Sequence, residues 1–189
     1  MVRAIRWVPC VIILSAALLD WGCAGSSPST APPPLHPPYF VSRDGGVRYR
    51  LPAGWFDATG ESQEADRAIF LVRGDYAGTL TMHEVHVDPA ARRSMAQGAL
   101  LQIARLTASL ESGSKSGLVV REPETVRWNG KEGCAYEVEY ATGDRVRTIL
   151  VDTGERLYAV AALVNNGAPP GVMREIYAAQ QAFVAALRW

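Results

Sequence analysis

The sequence predicts an α+β fold, an antiparallel sheet of about six or seven strands flanked by two helices. Three observations predict it. Short apolar segments with a period of two recur through residues 47–164, separated by turn residues. Two stretches instead repeat apolar residues every three or four positions, over roughly 89–111 and again after Pro170. The resulting order is β-β-β-α-β-β-β-β-α, with connections short enough for hairpins, and helices packed on an antiparallel sheet are the economical way to bury both kinds of apolar face.

Each element has a local reason. VRYRL (47–51) alternates and is closed by Pro52 and Gly54. AIFLVR (68–73) and GTLTMHEVHV (78–87) follow, the latter ended by Asp88-Pro89. That pair suits an N-cap and first turn. Met95, Ala99, Ile103, Leu106 and Leu110 then make an apolar stripe. Arg92, Arg93, Gln97, Gln102, Arg105 and Ser109 populate the other side, and Gly113 is expected to stop the helix. LVVREPETVRW (118–128) leads into Asn129-Gly130, a strong hairpin signal. CAYEVEYA (134–141) turns at Thr142–Asp144 into RVRTILV (145–151), which turns at Thr153-Gly154 into RLYAVAALV (156–164). Glu137 and Glu139 are expected to face Arg145 and Arg147 across the second hairpin, on a polar, solvated face. The strand 156–164 is apolar on both sides and should be central and covered twice. Pro169 and Pro170 open the last helix, with Val172, Ile176, Ala179, Phe183 and Leu187 as its buried stripe.

The first 38 residues read differently. Arg3 and Arg6 precede a 13-residue apolar run, residues 7–19, followed by small residues at Gly22, Cys23, Ala24 and Gly25. This is the plan of a secretory signal peptide, too short to span a bilayer comfortably. Residues 24–38, AGSSPSTAPPPLHPP, carry six of the 12 prolines and no charged side chain. Such a segment cannot offset its ordering entropy by burial, and it is expected to be an extended linker of up to about 45 Å.

The end of the apolar run resembles the lipobox of bacterial lipoproteins. Cys23 stands at the obligatory position after Gly22, although Asp20 and Trp21 replace the usual Leu and small residue. The resemblance implies cleavage before Cys23 and a diacylglycerol on its thiol. Ala24, a non-Asp residue after the Cys, implies sorting to the outer membrane of a two-membrane bacterium, facing the periplasm. Each buried methylene contributes about 0.8 kcal/mol, so two or three chains on one residue hold durably. The alternative is cleavage near Ala24–Ser26 and release as a soluble secreted protein. The expected organisation is a signal peptide at 1–22, a lipidated Cys with its linker at 23–38 and one globular domain at 39–189.

GVRYRLPAGW (46–55) resembles the opening strand of PsbP-like domains, which runs into Pro-x-Gly-Trp. A long helix after the third strand, the hairpin NGKEGCAYEVEY (129–140) and a terminal helix are similar too. The resemblance covers most of residues 44–189. It implies an α/β/α sandwich and an accessory or partner-binding role, and it brings no shared catalytic motif.

The chemistry-bearing motifs support the same expectation. His83-Glu84-Val85-His86 is one residue short of the His-Glu-x-x-His zinc motif and lies on an alternating segment, which would point the two imidazoles to opposite faces. Ser112-Gly113-Ser114-Lys115 matches Ser-x-x-Lys only in letters, without a helical turn between Ser and Lys or a Lys-Thr-Gly partner, and is expected to be a flexible loop. Cys10 leaves with the signal peptide and Cys23 is taken by lipid. Cys134 is then unpaired, a buried and inert thiol on the strand face shared with Tyr136, Val138 and Tyr140. Trp55 is expected in the core. No catalytic residue, metal ligand or cofactor site is assigned.

Charge points the same way. The chain has 19 Lys plus Arg against 19 Asp plus Glu, 17 of the cations being Arg. Without residues 1–22, which hold Arg3, Arg6 and Asp20, 17 positive and 18 negative charges remain. A nucleic-acid role would want a basic excess. The expected function is therefore a non-catalytic, lipid-anchored domain of the bacterial envelope that binds a protein partner. The alternative is a small-ligand-binding or sensing module, for which a concave apolar pocket with a few convergent polar groups would be the mark.

Overall fold

The computed structural model describes residues 31–64, 66–88, 90, 98–114 and 116–189. The expected signal segment 1–22, Cys23, residues 24–30 of the expected linker, Pro89, Arg92, Arg93, Met95, Gln97 and Lys115 lie outside the described residues.

Nine strands and two helices follow in chain order among the described residues: β1 (Phe40–Val41), β2 (Arg48–Tyr49), β3 (Trp55–Asp57), β4 (Arg67–Arg73), β5 (Gly78–Glu84), α1 (Ala99–Ser114), β6 (Leu118–Trp128), β7 (Lys131–Glu139), β8 (Arg145–Asp152), β9 (Leu157–Val164) and α2 (Pro170–Ala186). Seven strands form one antiparallel sheet in the order β3-β4-β5-β9-β8-β7-β6. β9 is its central strand, as its two-sided apolar pattern predicts. Period two then divides the side chains. Tyr158, Val160, Ala162 and Val164 join one core with Ile176, Ala179, Phe183 and Val184 of α2. Leu157 and Ala159 join another with Ile103, Ala104 and Ala108 of α1. The helices thus cover opposite faces of the sheet.

The hairpin at Asn129-Gly130 is the expected two-residue turn. Both residues have positive φ, 47° and 75°, and Trp128 pairs with Lys131. Across the next hairpin the two glutamates face the two arginines as expected, Glu137 opposite Arg147 and Glu139 opposite Arg145.

Several expectations are corrected. VRYRL does not enter the main sheet. Only Arg48–Tyr49 is strand, and it pairs with Phe40–Val41 in a separate two-stranded sheet. The main sheet instead begins at Trp55, after Gly54 turns the chain at a φ of 80°. Trp55 is buried as expected. The helix of 99–114 begins after Gly98, whose φ of 102° is not helical, and it runs through Gly113 to Ser114. The Ser112 and Ser114 hydroxyls donate back to the Ser109 and Glu111 carbonyls, so Ser112–Ser114 is the last helical turn and not a loop. The buried stripe of α1 is Ile103, Ala104 and Ala108. Leu106 and Leu110 are 59% and 74% exposed.

The end of the uncharged segment lies along the domain. Ala53 N–H donates to the Pro34 carbonyl and His36 N–H to the Leu51 carbonyl, each at 2.8 Å. No helix among the described residues is long and apolar enough to cross a membrane.

Candidate functional site

The α2 side of β6, β7 and β8 carries the largest departure from the sequence's expectation. Registration places Arg121, Glu137, Arg147 and Ala162 in one row across four strands. The row was expected to be wet. Instead α2 lies over it, leaving Glu137 only 9% and Arg147 only 6% exposed. Tyr177 of α2 places its ring 5.4 Å from the Arg147 guanidinium carbon. Gln180, fully buried, donates its amide protons to the Arg147 and Val160 carbonyls at 2.8 Å.

The ion pairing within this row is uneven. Arg121 takes both nearby carboxylates, Glu124 at 2.5 Å and Glu137 at 3.5 Å. Among the described residues Arg147 makes no ion pair, and its Nε has no hydrogen-bond partner. The Tyr177 hydroxyl and the Gln180 Oε1 are likewise without partners there. Burial pushes the Arg147 pKa down, opposed by the charge of Glu137. Burial and the Glu137 charge push the Tyr177 hydroxyl up. Three buried polar groups without partners in one place is unusual, because each such group costs about 1–3 kcal/mol.

Beside them a cleft of about 330 Å³ runs between α2 and the sheet. Ala178, Ala182, Val184 and Ala185 form one wall, Val126, Trp128 and Ile149 the other, and Pro32 of the uncharged segment closes part of it. Gly133 shapes the sheet wall. A Cβ there would come within 2.4 Å of the Trp128 ring, so only glycine lets the indole lie across β7. The charged residues lining the cleft are both arginines, Arg127 and Arg147. Arg127 is already paired with Glu132 at 3.1 Å.

On the opposite face the buried Thr148 Oγ1 has no partner among the described residues, but the half-buried carboxylate of Glu111 is engaged at both oxygens. The Tyr136 and Tyr140 hydroxyls donate to the two carboxylate oxygens of Glu111 at 2.9 and 2.6 Å. Burial, together with Glu111, pushes both hydroxyls well above the usual tyrosine range. Cys134 lies on this face with Tyr136 and Val138, buried as expected, and burial raises its pKa. His83 sits half-buried on β5, on the face it shares with the half-buried Thr79 and Thr81, whereas the His86 side chain, beyond the strand's end, is 86% exposed. Among the described residues no three His, Cys, Asp or Glu side chains gather to hold a metal ion. Cys23, the residue expected to carry a lipid, lies outside the described residues.

Sequence reasoning set Glu137 and Glu139 against Arg145 and Arg147 but missed the site they help to build. The signal was present in RVRTILV, where Arg147 shares one strand face with Ile149 and Val151. An Arg followed on its face by two apolar residues marks a cation at the edge of cover, with Arg145 on its open side.

The fold these elements define is the PsbP/Mog1-like α+β fold. Solved structures similar to it include the Ran-binding protein Mog1p of Saccharomyces cerevisiae, with a TM-score of 0.58 and 11% identity over 82% of this chain and 96% of that one. A mutant form of Mog1 gives a TM-score of 0.56 at 11% identity, over 80% and 94% of the two chains. A cyanobacterial PsbP, CyanoP from Synechocystis, gives 0.52 at 8% identity, over 88% and 96%. The resemblance to PsbP-like domains therefore holds at the level of fold. Neither the family models nor the curated protein sequences compared with the chain give a match.

Proposed function

We propose that the chain is an exported accessory domain that binds a protein partner in the cleft beside α2, held at a membrane by a lipid on Cys23. The role is binding, not catalysis. One observation carries the reading: an apolar cleft that is open along the helix and already has an extended stretch of polypeptide, at Pro32, against one side. An extended or helical segment of a partner can lie there by the same contacts. Mog1p, described as a Ran-binding protein, offers a precedent for partner binding on this fold. The membrane half of the reading rests on Arg3 and Arg6, the apolar run 7–19, Cys23 and the uncharged linker, with the outer membrane, facing the periplasm, as the proposed address.

Two measurements test it. Mass spectrometry of the membrane-extracted protein should find a diacylglyceryl adduct on Cys23, and a free N-terminus downstream of Cys23 refutes the anchor. A photo-crosslinking residue at Ala182, in the cleft wall, should capture a defined protein in the native membrane, whereas one at Arg105 on the exposed side of α1 should not. Recovery of uncrosslinked monomer alone at Ala182 rejects the partner reading.

A further inference from the structure

The cleft has a chemical requirement of its own. Arg147 lines it and is 94% withdrawn from solvent, being 6% exposed. A guanidinium offers five donors in a flat fork, and removing it from water without a partner is costly. The domain has a carboxylate near enough to help, Glu137, but that carboxylate is bonded to Arg121, which also holds Glu124. Arg127, farther along the cleft, is satisfied by Glu132. One cation facing the cleft is therefore left over. Tyr177 adds a hydroxyl without a partner beside it. The remaining walls, Val126, Ile149, Ala178 and Ala182, are apolar.

We infer that the partner segment in this cleft carries an acidic side chain, Asp or Glu, set between apolar residues, and that its carboxylate pairs with Arg147. This rests on the partner-binding reading above and names what the partner must present. The chain's own linker cannot be the occupant that Arg147 lacks, because residues 24–38 contain no carboxylate side chain. The carboxylate forks onto the guanidinium, and its apolar neighbours fill the walls on either side. A buried charge pair of this kind sets register as well as affinity.

The test uses the full chain purified in detergent. A randomised peptide library is selected against it, and the enriched peptides are titrated by fluorescence anisotropy. The enriched set should share one Asp or Glu between apolar residues. Changing that residue to Asn or Gln, or Arg147→Gln in the protein, should weaken binding by about thirtyfold or more. Making both changes should cost little beyond either alone, the mark of a direct pair. Arg147→Lys, which keeps charge but loses the fork, should fall between. If Arg147→Gln does not fold, the peptide-side substitution on the native protein still decides the matter.

Enriched peptides without an acidic residue, or equal binding by Arg147→Gln, overturn the inference. So does occupation of the cleft by decanoate with no peptide enriched, which would make it a small-acid site, or dimers that close the cleft with a second copy. If Ala182 captures a protein but its bound segment has no acidic residue, this inference falls and the partner reading stands. If Ala182 captures nothing, the partner reading itself falls.

Discussion

The two faces of the sheet treat charged side chains in opposite ways, although among the described residues each also holds a buried neutral hydroxyl without a partner, Thr148 on one and Tyr177 on the other. On the α1 face Glu111 is an acid under cover, and both of its oxygens receive a tyrosine hydroxyl. On the α2 face Arg147 is a base under cover, and among the described residues no carboxylate reaches it. Among the described residues α1 buries Ile103, Ala104 and Ala108, against Ile176, Ala179, Gln180, Phe183 and Val184 from α2. A carboxylate whose oxygens are both engaged stabilises the fold. A covered cation without a carboxylate costs stability, and the packing around it must offset that cost.

The largest effect should come from the packing that sustains the open side. Phe183 is 1% exposed and lies against Tyr49, their ring centroids 5.9 Å apart. Phe183→Ala should destabilise by about 3–5 kcal/mol in denaturant unfolding. Ile103→Ala, on α1, should cost nearer 2 kcal/mol, at the low end for such truncations. Equal losses would break the claim that Phe183 carries more of the core than Ile103.

Charge removal tests the contrast itself. Glu111→Leu strips the acceptor from two buried hydroxyls and should destabilise by about 2–3 kcal/mol. Arg147→Met removes a buried cation that has no partner and keeps similar bulk. It should leave the unfolding midpoint unchanged or raise it, because a well-packed apolar replacement spares the desolvation cost. A loss of more than about 1 kcal/mol for Arg147→Met would mean that Arg147 is already satisfied within the domain.

The same pair of faces shows what the sequence could and could not reveal. The chain order of most elements, the Asn129-Gly130 turn, the centrality of β9 and the facing of Glu137 and Glu139 by Arg145 and Arg147 were all legible, because period and turn chemistry are local. Burial of the row was not, because it depends on where a helix some 30 residues away in sequence, starting at Pro170, comes to rest. The α1 stripe failed for a related reason. Leu106 and Leu110 are spaced like core residues, yet the sheet below presents Tyr136 and Tyr140, which take the room beside Glu111. The helix settles on its small residues, Ala104 and Ala108, and Leu106 and Leu110 turn outward. The short strand at Trp55 was hidden in a Pro-x-Gly turn motif, which explains the turn but not the pairing with Arg73 that follows it.

Hydroxyl deletion sharpens the comparison at smaller scale. Tyr136→Phe removes a donor that Glu111 accepts, and should cost about 1–2 kcal/mol. Tyr177→Phe removes a hydroxyl without a partner and should change stability by less than about 0.5 kcal/mol. The prediction is read by the difference between two chemically identical substitutions, so errors common to both cancel. A Tyr177→Phe loss as large as that of Tyr136→Phe would show that the α2 side is closed after all.

The smallest effect is a pH dependence belonging to the α1 side. Burial pushes the His83 pKa below the ordinary imidazole value, and the nearby Asp66 and Glu111 charges only partly oppose it. Arg67 adds to the depression. In the unfolded chain His83 titrates near pH 6.5. As pH falls below about 6.5 the unfolded chain takes up a proton that the folded chain still refuses, so the unfolded state binds more protons and stability declines. The decline ends once pH passes below the folded value, where both states are protonated. One proton limits its slope to about 1.4 kcal/mol per pH unit. His83→Gln should flatten the profile between pH 7 and pH 5 by that one-proton contribution. Arg147→Gln should leave that segment as it was, since arginine remains charged throughout this range. A profile that stays unchanged in His83→Gln would place the imidazole in water.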